Sequence, residues 1–170
     1  FFDVNNYCIR KVTASTGIIS VIAGTPTVSG TYSTSSDGAP ATSVALSNNN
    51  PYAELVMDTS GVFYFTNTNS YRLMKIVSGK IYSWLGNGVN GNAGDGGPAT
   101  QALLNFPTWY PERVQDPYDF VELLGALALD AEGNLYITDA YNNRVRKVDA
   151  NGIITTIAGD GERGWIWWPQ

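Results

Sequence analysis

The 170-residue chain contains no histidine. A Ser-His-Asp triad, a Cys-His pair and every histidine-ligated zinc site are therefore excluded for this chain taken alone. Its single cysteine, Cys8, cannot form an intrachain disulfide, so a small scaffold held together by disulfide bonds is excluded as well. We expect Cys8 to be a small apolar residue in or near a strand; a disulfide to another chain stays open.

Charge is also scarce. Only 15% of the residues are charged, and 10 basic against 15 acidic residues give a net charge of −5. This sign argues against binding to phosphate backbones, so no nucleic-acid partner is expected. No apolar run reaches the length of about 18 residues that a membrane span needs. With 44% hydrophobic residues in short runs, the chain is expected to fold and not to be disordered.

Three segments of the sequence repeat. They are CIRKV (8–12), RLMKI (72–76) and RVRKV (144–148), and each is followed by an apolar run that ends in glycine, at Gly24, Gly86 and Gly159. The second and third copies are preceded by matching runs at 55–67 and 127–139, whereas the first copy keeps only FFD. We therefore expect the chain to begin inside a repeat and to be an excerpt of a longer polypeptide.

The apolar residues within one copy alternate with a period of two. In the third copy the runs 127–129, 135–137, 145–148 and 153–157 are short and separated by EGN, YNN and ANG. This pattern predicts four antiparallel strands joined by tight turns. A repeated four-stranded unit is typical of a β-propeller blade, which must stack on its neighbours to bury its faces. The predicted fold is all-β; a β-sandwich is the alternative, although its strands would not repeat in fours.

Related connections join the copies: SDGAPATSVAL (36–46) and GDGGPATQALL (94–104). Glycine permits the tight turn, Pro98 suits the first position of a helix, and 99–104 are expected to form about one helical turn. The aspartates are assigned to turn chemistry, in which the carboxylate accepts backbone hydrogen bonds. No metal or other cofactor is predicted, because a calcium site would need several more converging oxygen ligands. The repeated turn motif comprises Asp37, Gly38, Pro40, Asp95, Gly96 and Pro98.

The third copy, GNLYITDAYNNRVRKVDANGIITTIAG, together with the connection GDGGPAT, resembles the NHL repeat. That family forms β-propellers, commonly six-bladed, and includes protein-binding, RNA-binding, ligand-sensing and enzymatic members, so the resemblance implies a fold more than a function. It implies one partial propeller. The expected segments are blade one at 1–24, a connection at 25–52, blade two at 53–86, a connection with an insertion at 87–124, blade three at 125–159 and an aromatic tail at 160–170.

Acid-base pairs are predicted inside two of the blades. Counting outward from a turn at Asn142–Asn143, and from the matching turn of the first copy, places an aspartate opposite an arginine. In the second copy the counterparts are Asn67 and Met74, so acid and base are absent together. A structural role is favoured over a catalytic one because the acid recurs in successive blades, and an exposed pair would add little stability. The predicted pairs are Asp3 with Arg10 and Asp139 with Arg146.

Most of the basic residues fall in the equivalent strand of each copy. They would line a ridge that recruits an acidic partner, or form a solvated face paired with local carboxylates, and the second interpretation is the simpler. The seven are Arg10, Lys11, Arg72, Lys75, Arg144, Arg146 and Lys147.

Aromatic residues outside the repeat pattern are the candidate interaction surface. Tryptophans in loops or tails either cover an exposed sheet edge or dock a partner, so edge covering, protein contact and sugar stacking are the alternatives. Strand aromatics such as Trp84 and Phe65 are assigned to the core between blades. The candidate surface comprises Trp109, Tyr110, Tyr118, Trp165, Trp167 and Trp168.

The predicted function is that of a non-catalytic interaction or structural module, outside the cell or at its surface. Three blades leave two faces that need further blades or other chains, so the expected partners are other protein chains, copies of this chain in a self-assembly such as a filament, or a glycan. The alternative is a propeller-class enzyme, a calcium-dependent hydrolase or a lyase, whose site other blades complete. Converging carboxylates at a central axis would favour the enzyme.

Overall fold

The computed structural model describes residues 1–30, 34–46, 54–106 and 126–162. In these residues the strands form three antiparallel sheets, which we call blades one, two and three. Blade one contains β1 (Phe2–Asp3), β2 (Cys8–Val12) and β3 (Ile19–Ala23). Blade two contains β4 (Leu55–Met57), β5 (Phe63–Asn67), β6 (Arg72–Val77) and β7 (Lys80–Leu85). Blade three contains β8 (Leu127–Leu129), β9 (Leu135–Asp139), β10 (Arg144–Val148) and β11 (Ile154–Ala158).

Each sheet is a meander in which neighbours in sequence are neighbours in space. Blade one corresponds to the last three strands of the other two, with β1 in the place of β5 and β9. A register shift recurs between the second and third residues of β2, β6 and β10, where each pairs with the last strand of its sheet. The recurrence of this bulge shows that the three sheets are copies of one unit.

Short 3-10 turns join strands and open the connections. Those within the blades are Val4–Asn6, Thr68–Ser70 and Ala140–Asn142, and those in the connections are Thr34–Ser36, Ala41–Ser43 and Ala99–Gln101. The connection after Pro98 is therefore a 3-10 turn of three residues, and the predicted helical turn over 99–104 is wrong in type and length. Pro98 is extended and precedes the turn, because the chain at this point pairs with the next blade at Ile153.

Two apolar clusters lie between the sheets. The first joins Ile9 and Ala23 of blade one to Phe65 and Ile81 of blade two, and residues of the first connection complete it. The second joins blade two to blade three. Its buried members include Leu73, Leu85, Leu104, Phe106, Leu135, Ile137 and Ile154.

Blade two contributes Phe65 and Ile81 to the first cluster and Leu73 and Leu85 to the second, so it buries its two faces against two different neighbours. This stacking of four-stranded sheets confirms the predicted all-β, propeller-blade fold. Phe65 is buried as predicted for a core aromatic, and Trp84 packs against the second cluster. Cys8 is also buried. No helix in the described part of the chain has the length and apolar character that a membrane span requires.

Candidate functional site

The connection that leaves one blade pairs with the last strand of the next. Gly38 donates its N–H to the carbonyl of Ile81, and Ile81 donates back to Ala39. In the second connection Gly96 and Gly97 make the same two bonds with Ile154. The repeated Asp-Gly turn therefore lies against the outer edge of the following blade, and the connection covers that edge.

The aspartates of the turn motif reach the following blade as well. Asp37 Oδ1 accepts the backbone N–H of Ser83 at 2.7 Å. Asp95 is hydrogen-bonded by the backbone of Thr156, which occupies the same strand position as Ser83. The sequence assigned these carboxylates to turn chemistry as acceptors of backbone hydrogen bonds, and the backbone bonds described here cross between blades.

Arg146 is the centre of a buried polar network between blades two and three. Its side chain is completely buried, and its Nη2 lies 2.7 Å from Asp95 Oδ1 while its Nη1 lies 3.6 Å from Asp139 Oδ2. It also donates to the carbonyls of Leu103 and Ala93. A buried guanidinium is tolerated only when its donors are satisfied, and here the preceding connection supplies most of the acceptors.

The two carboxylates beside Arg146 have different surroundings. Burial raises the pKa of Asp139, although Asn142, the N–H of Asn105 and Arg146 all favour its charged form. Asp95 is about half exposed. Burial raises its pKa too, but hydrogen bonds from Thr156 and Arg146 outweigh that effect, so the pKa of Asp95 lies below its ordinary value. Asp95 is therefore the permanent counterion of the arginine at neutral pH.

The corresponding pair in blade one is more exposed. Arg10 Nε lies 2.6 Å from Asp3 Oδ2, and the two side chains are 27% and 23% exposed. Asn6 donates to both carboxylate oxygens of Asp3. Blade two has Asn67 and Met74 at these positions; both are buried, and neither polar atom of the Asn67 side chain has a hydrogen-bond partner among the described residues.

The predicted register of these pairs is wrong by two residues. Asp139 stands opposite Arg144, and Asp3 stands opposite Cys8. The turn consists of a 3-10 turn and a left-handed residue, Asn143 in blade three, so its centre lies one residue earlier than the sequence count assumed. Each arginine reaches its aspartate diagonally across the strand pair, a separation that a long side chain spans.

The basic residues do not form one ridge. Because side chains alternate along a strand, Arg10 and Arg146 lie on the face of their blade that packs against the preceding blade in blade three, and Lys11 and Lys147 lie on the other face. Lys147 lies 5.7 Å from the ring centre of Tyr136. Arg72 and Arg144 donate to backbone carbonyls of the connection that leaves their own blade, at Asn87 and Asp160.

Three further aspartates close tight turns. Asp58, Asp130 and Asp149 each accept backbone N–H groups two and four residues ahead. Hydrogen bonds, led by the Asn134 side chain at Asp130 and the Ile153 N–H at Asp149, hold the pKa of these two carboxyls below the ordinary value. These groups are therefore occupied in turn formation.

One face of blade one has no covering blade among the described residues. Its apolar side chains are Phe1, Val12 and Ile19, which are 56%, 53% and 49% exposed. The equivalent residues are Phe65, Ile76 and Ile81 in blade two and Ile137, Val148 and Ile154 in blade three, and none is more than 4% exposed. We call this surface, with Arg10 between its apolar residues, the open face.

The open face was not among the predicted site residues, although the sequence holds its signal. Aligning Val12 with Ile76 and Val148, and Ile19 with Ile81 and Ile154, places core-type residues of blade one on the side where the alignment has no earlier blade. The predicted aromatic surface (Trp109, Tyr110, Tyr118, Trp165, Trp167, Trp168) lies outside the described residues. Within the described residues no group of three or more His, Cys, Asp or Glu side chains is placed to hold a metal ion.

Comparison with known proteins shows the fold. No protein-family model and no curated protein matches the chain. Similar solved structures include a structural genomics protein of unknown function from Bacteroides thetaiotaomicron, with a TM-score of 0.60 and 21% identity over 92% of this chain and 32% of that one. An auxiliary nutrient binding protein from Bacteroides ovatus has a TM-score of 0.53 and 22% identity over 91% of this chain and 34% of that one. This chain thus spans about a third of each, and the resemblance to the NHL repeat stays a prediction.

Proposed function

We propose that the chain is a non-catalytic β-propeller module that acts by contact with other protein surfaces. The observation that carries this proposal is the open face of blade one. Val12 and Ile19 are about half exposed, whereas the same positions in the following blades are buried. Apolar side chains clustered on a rigid sheet are costly to leave in water and mark a surface that a further blade or another protein covers.

The ionisable groups of the described residues support a structural use of charge. Asp58, Asp130 and Asp149 close turns, while Asp95 and Asp139 hold one arginine between two blades. Carboxylates engaged in this way stabilise the fold and position neighbouring blades. This structural use of the carboxylates supports a module that binds other proteins.

We also propose the location and the further contact residues that the sequence predicts. Low charge and many small hydroxyl and amide side chains suit a place outside the cell or at its surface. The aromatic residues of the insertion and the tail are proposed as additional contacts, because Trp and Tyr dominate binding energy at protein interfaces. They are Trp109, Tyr110, Tyr118, Trp165, Trp167 and Trp168.

Sedimentation velocity of the full chain over a range of concentrations tests the proposal. With no other protein present, the open face should bind a second molecule of the chain reversibly. Replacing Val12 and Ile19 together with aspartate should weaken this association about tenfold or more, because each buried aliphatic side chain contributes roughly 1.5–3 kcal/mol. Val28→Asp is the matched control, since Val28 is 47% exposed but lies in a connection.

Two results would contradict the proposal. The first is a chain that stays monomeric at every concentration and binds no protein through Val12 and Ile19. The second is a glycan, found by screening the full chain on a glycan array, whose binding the Val12 and Ile19 substitutions leave intact in the absence of any protein association.

A further inference from the structure

The interface between blades two and three shows what an arginine at the Arg10 position is for. Arg10 is equivalent to Arg146, because each is the third residue of its strand and follows the same register shift. Arg146 binds an aspartate of its own blade, Asp139, and an aspartate of the preceding connection, Asp95. The second of these bonds is made only across the interface.

The interface between blades one and two shows which part of this contact is general. Asp37 of the first connection binds the backbone N–H of Ser83, although Met74 stands there in place of the arginine. The aspartate of the connection is thus present at both interfaces, and at each it accepts the backbone N–H at the same strand position of the following blade. An arginine at the third position of the neighbouring strand adds a second donor to that carboxylate.

Blade one has an arginine and a backbone N–H at the two equivalent positions. Val21 occupies the position of Ser83 and Thr156, and it pairs with Arg10 in the sheet. Arg10 binds Asp3 through Nε. A guanidinium has five N–H donors, so Arg10 can hold a second carboxylate beside Asp3, as Arg146 does. A cation surrounded by the apolar side chains of Phe1, Val12 and Ile19 is complementary to a surface that is apolar with one acidic group.

We infer that the open face of blade one receives a further blade of the same repeat, whose connection places an aspartate carboxylate on Arg10 and on the N–H of Val21. This inference rests on the proposed function and names the partner of the open face. It follows from continuity with the two interfaces already present, where a connection and a sheet face together cover Phe65, Ile76 and Ile81 in one case and Ile137, Val148 and Ile154 in the other.

A second copy of this chain is a poorer occupant. The sheet that it could present is the far face of blade three, whose last strand is β11. The acidic residues nearest the end of β11 are Asp160 and Glu162, and Asp160 follows the strand-end Gly159 directly, as Asn87 follows Gly86. Neither occupies the place of Asp95 in the turn motif.

An extended chain tests the inference directly. A copy of residues 54–136 is added before Phe1 of the full chain, so that Tyr136 of the added copy continues into Phe1, the position equivalent to Ile137. The added copy supplies the connection with Asp95. It also supplies a copy of β8, the strand that blade one lacks. We expect the extended chain to lose the self-association that depends on Val12 and Ile19, because the added blade covers the open face.

A double-mutant cycle in the extended chain tests the aspartate contact. Arg10→Met, which introduces the residue that blade two has at Met74, and Asp95→Asn in the added copy should each lower the folding equilibrium constant about tenfold, and together by little more than either alone. Asp58→Asn in the added copy is the control, because it also removes turn hydrogen bonds but should act independently of Arg10→Met. Urea unfolding followed by tryptophan fluorescence gives the constants.

The outcomes separate the two proposals. If the extension abolishes the self-association that depends on Val12 and Ile19 but the effects of Arg10→Met and Asp95→Asn simply add, the open face binds a blade without the aspartate contact, and the inference is wrong while the proposed function stands. If the extended chain still self-associates through Val12 and Ile19, a second copy is the occupant and the inference is wrong. If neither chain associates and the extension adds no stability, both proposals fail.

Discussion

Arg146 Nη2 and Asp95 Oδ1 lie 2.7 Å apart, although 51 residues separate them in the sequence. The arginine belongs to the third strand of blade three and the aspartate to the connection that leaves blade two. Because the arginine is completely buried and the aspartate is half exposed, the bond closes a buried network at its solvent edge. The network therefore ties a blade to the connection before it.

Removing the arginine alone should destabilise the chain strongly. Arg146→Met leaves Asp139 buried without its counterion, which typically costs about 3–5 kcal/mol. The double variant Asp139→Asn with Arg146→Met reproduces the pair that blade two already has, Asn67 and Met74, and should recover most of the loss. Urea unfolding monitored by circular dichroism measures both; a double variant as unstable as the single one would show that the buried carboxylate is not the cause.

The aspartates of the two connections should differ in their importance. Asp95→Asn weakens charged bonds to a buried arginine and should cost about 1.5–3 kcal/mol, whereas Asp37→Asn weakens the bond to the Ser83 N–H and should cost about 1 kcal/mol. Asp160→Asn is a suitable control, because its carboxylate accepts the N–H of Glu162 in an exposed turn. Thermal unfolding of the three variants should rank them in that order, and equal losses would argue against the arginine contact.

The strands were predictable and the turns between them were not. The run 127–129 is strand β8 as expected, because apolar runs with a period of two between turn residues indicate strands locally. The turns after β1, β5 and β9 place Tyr7, Tyr71 and Asn143 in the left-handed region, which the sequence does not reveal for tyrosine. The two-residue error in the pairing of Asp139 follows from that hidden turn geometry.

Contacts between blades were still less accessible to sequence reasoning. That Asp37 meets Ser83, and Asp95 meets Arg146, depends on where the connection passes over the next sheet. The open face is different: its signal was present in the alignment of Val12 and Ile19 with buried residues of later copies. These residues fall inside the repeat pattern, where an apolar strand residue indicates a core position, so the sequence pattern alone predicts burial for them.

Glycine at the end of the last strand should be irreplaceable. Gly159 has a φ of +83°, and a Cβ there would overlap the carbonyl oxygen of Asn143; Gly24 and Gly86 face the carbonyls of Tyr7 and Tyr71 in the same way. Gly133 has the same φ, but a Cβ there would meet nothing within 4 Å.

Gly133→Ala should therefore cost only the left-handed conformation, about 1–2 kcal/mol. Gly159→Ala should cost clearly more, because the backbone must also move away from Asn143. The difference between the urea midpoints of the two variants measures the stability lost through the steric overlap. Equal midpoints would show that the backbone at the end of the strand moves without loss of stability.

Acid should weaken the fold through the turn aspartates and not through Asp139. The lowered pKa values of Asp95, Asp130 and Asp149 mean that these groups add stability above their unfolded pKa, which is lost as the pH falls below about 4. The raised pKa of Asp139 has the opposite effect on stability, since the folded state then binds its proton more tightly than the unfolded state.

Asp130→Asn should thus flatten the decline of the unfolding free energy between about pH 5 and 2, whereas Asp139→Asn should steepen it. Urea titrations across this range, each variant compared with the parent chain, measure both slopes; a flatter decline for Asp139→Asn would mean that Arg146 keeps the carboxylate charged in spite of its burial.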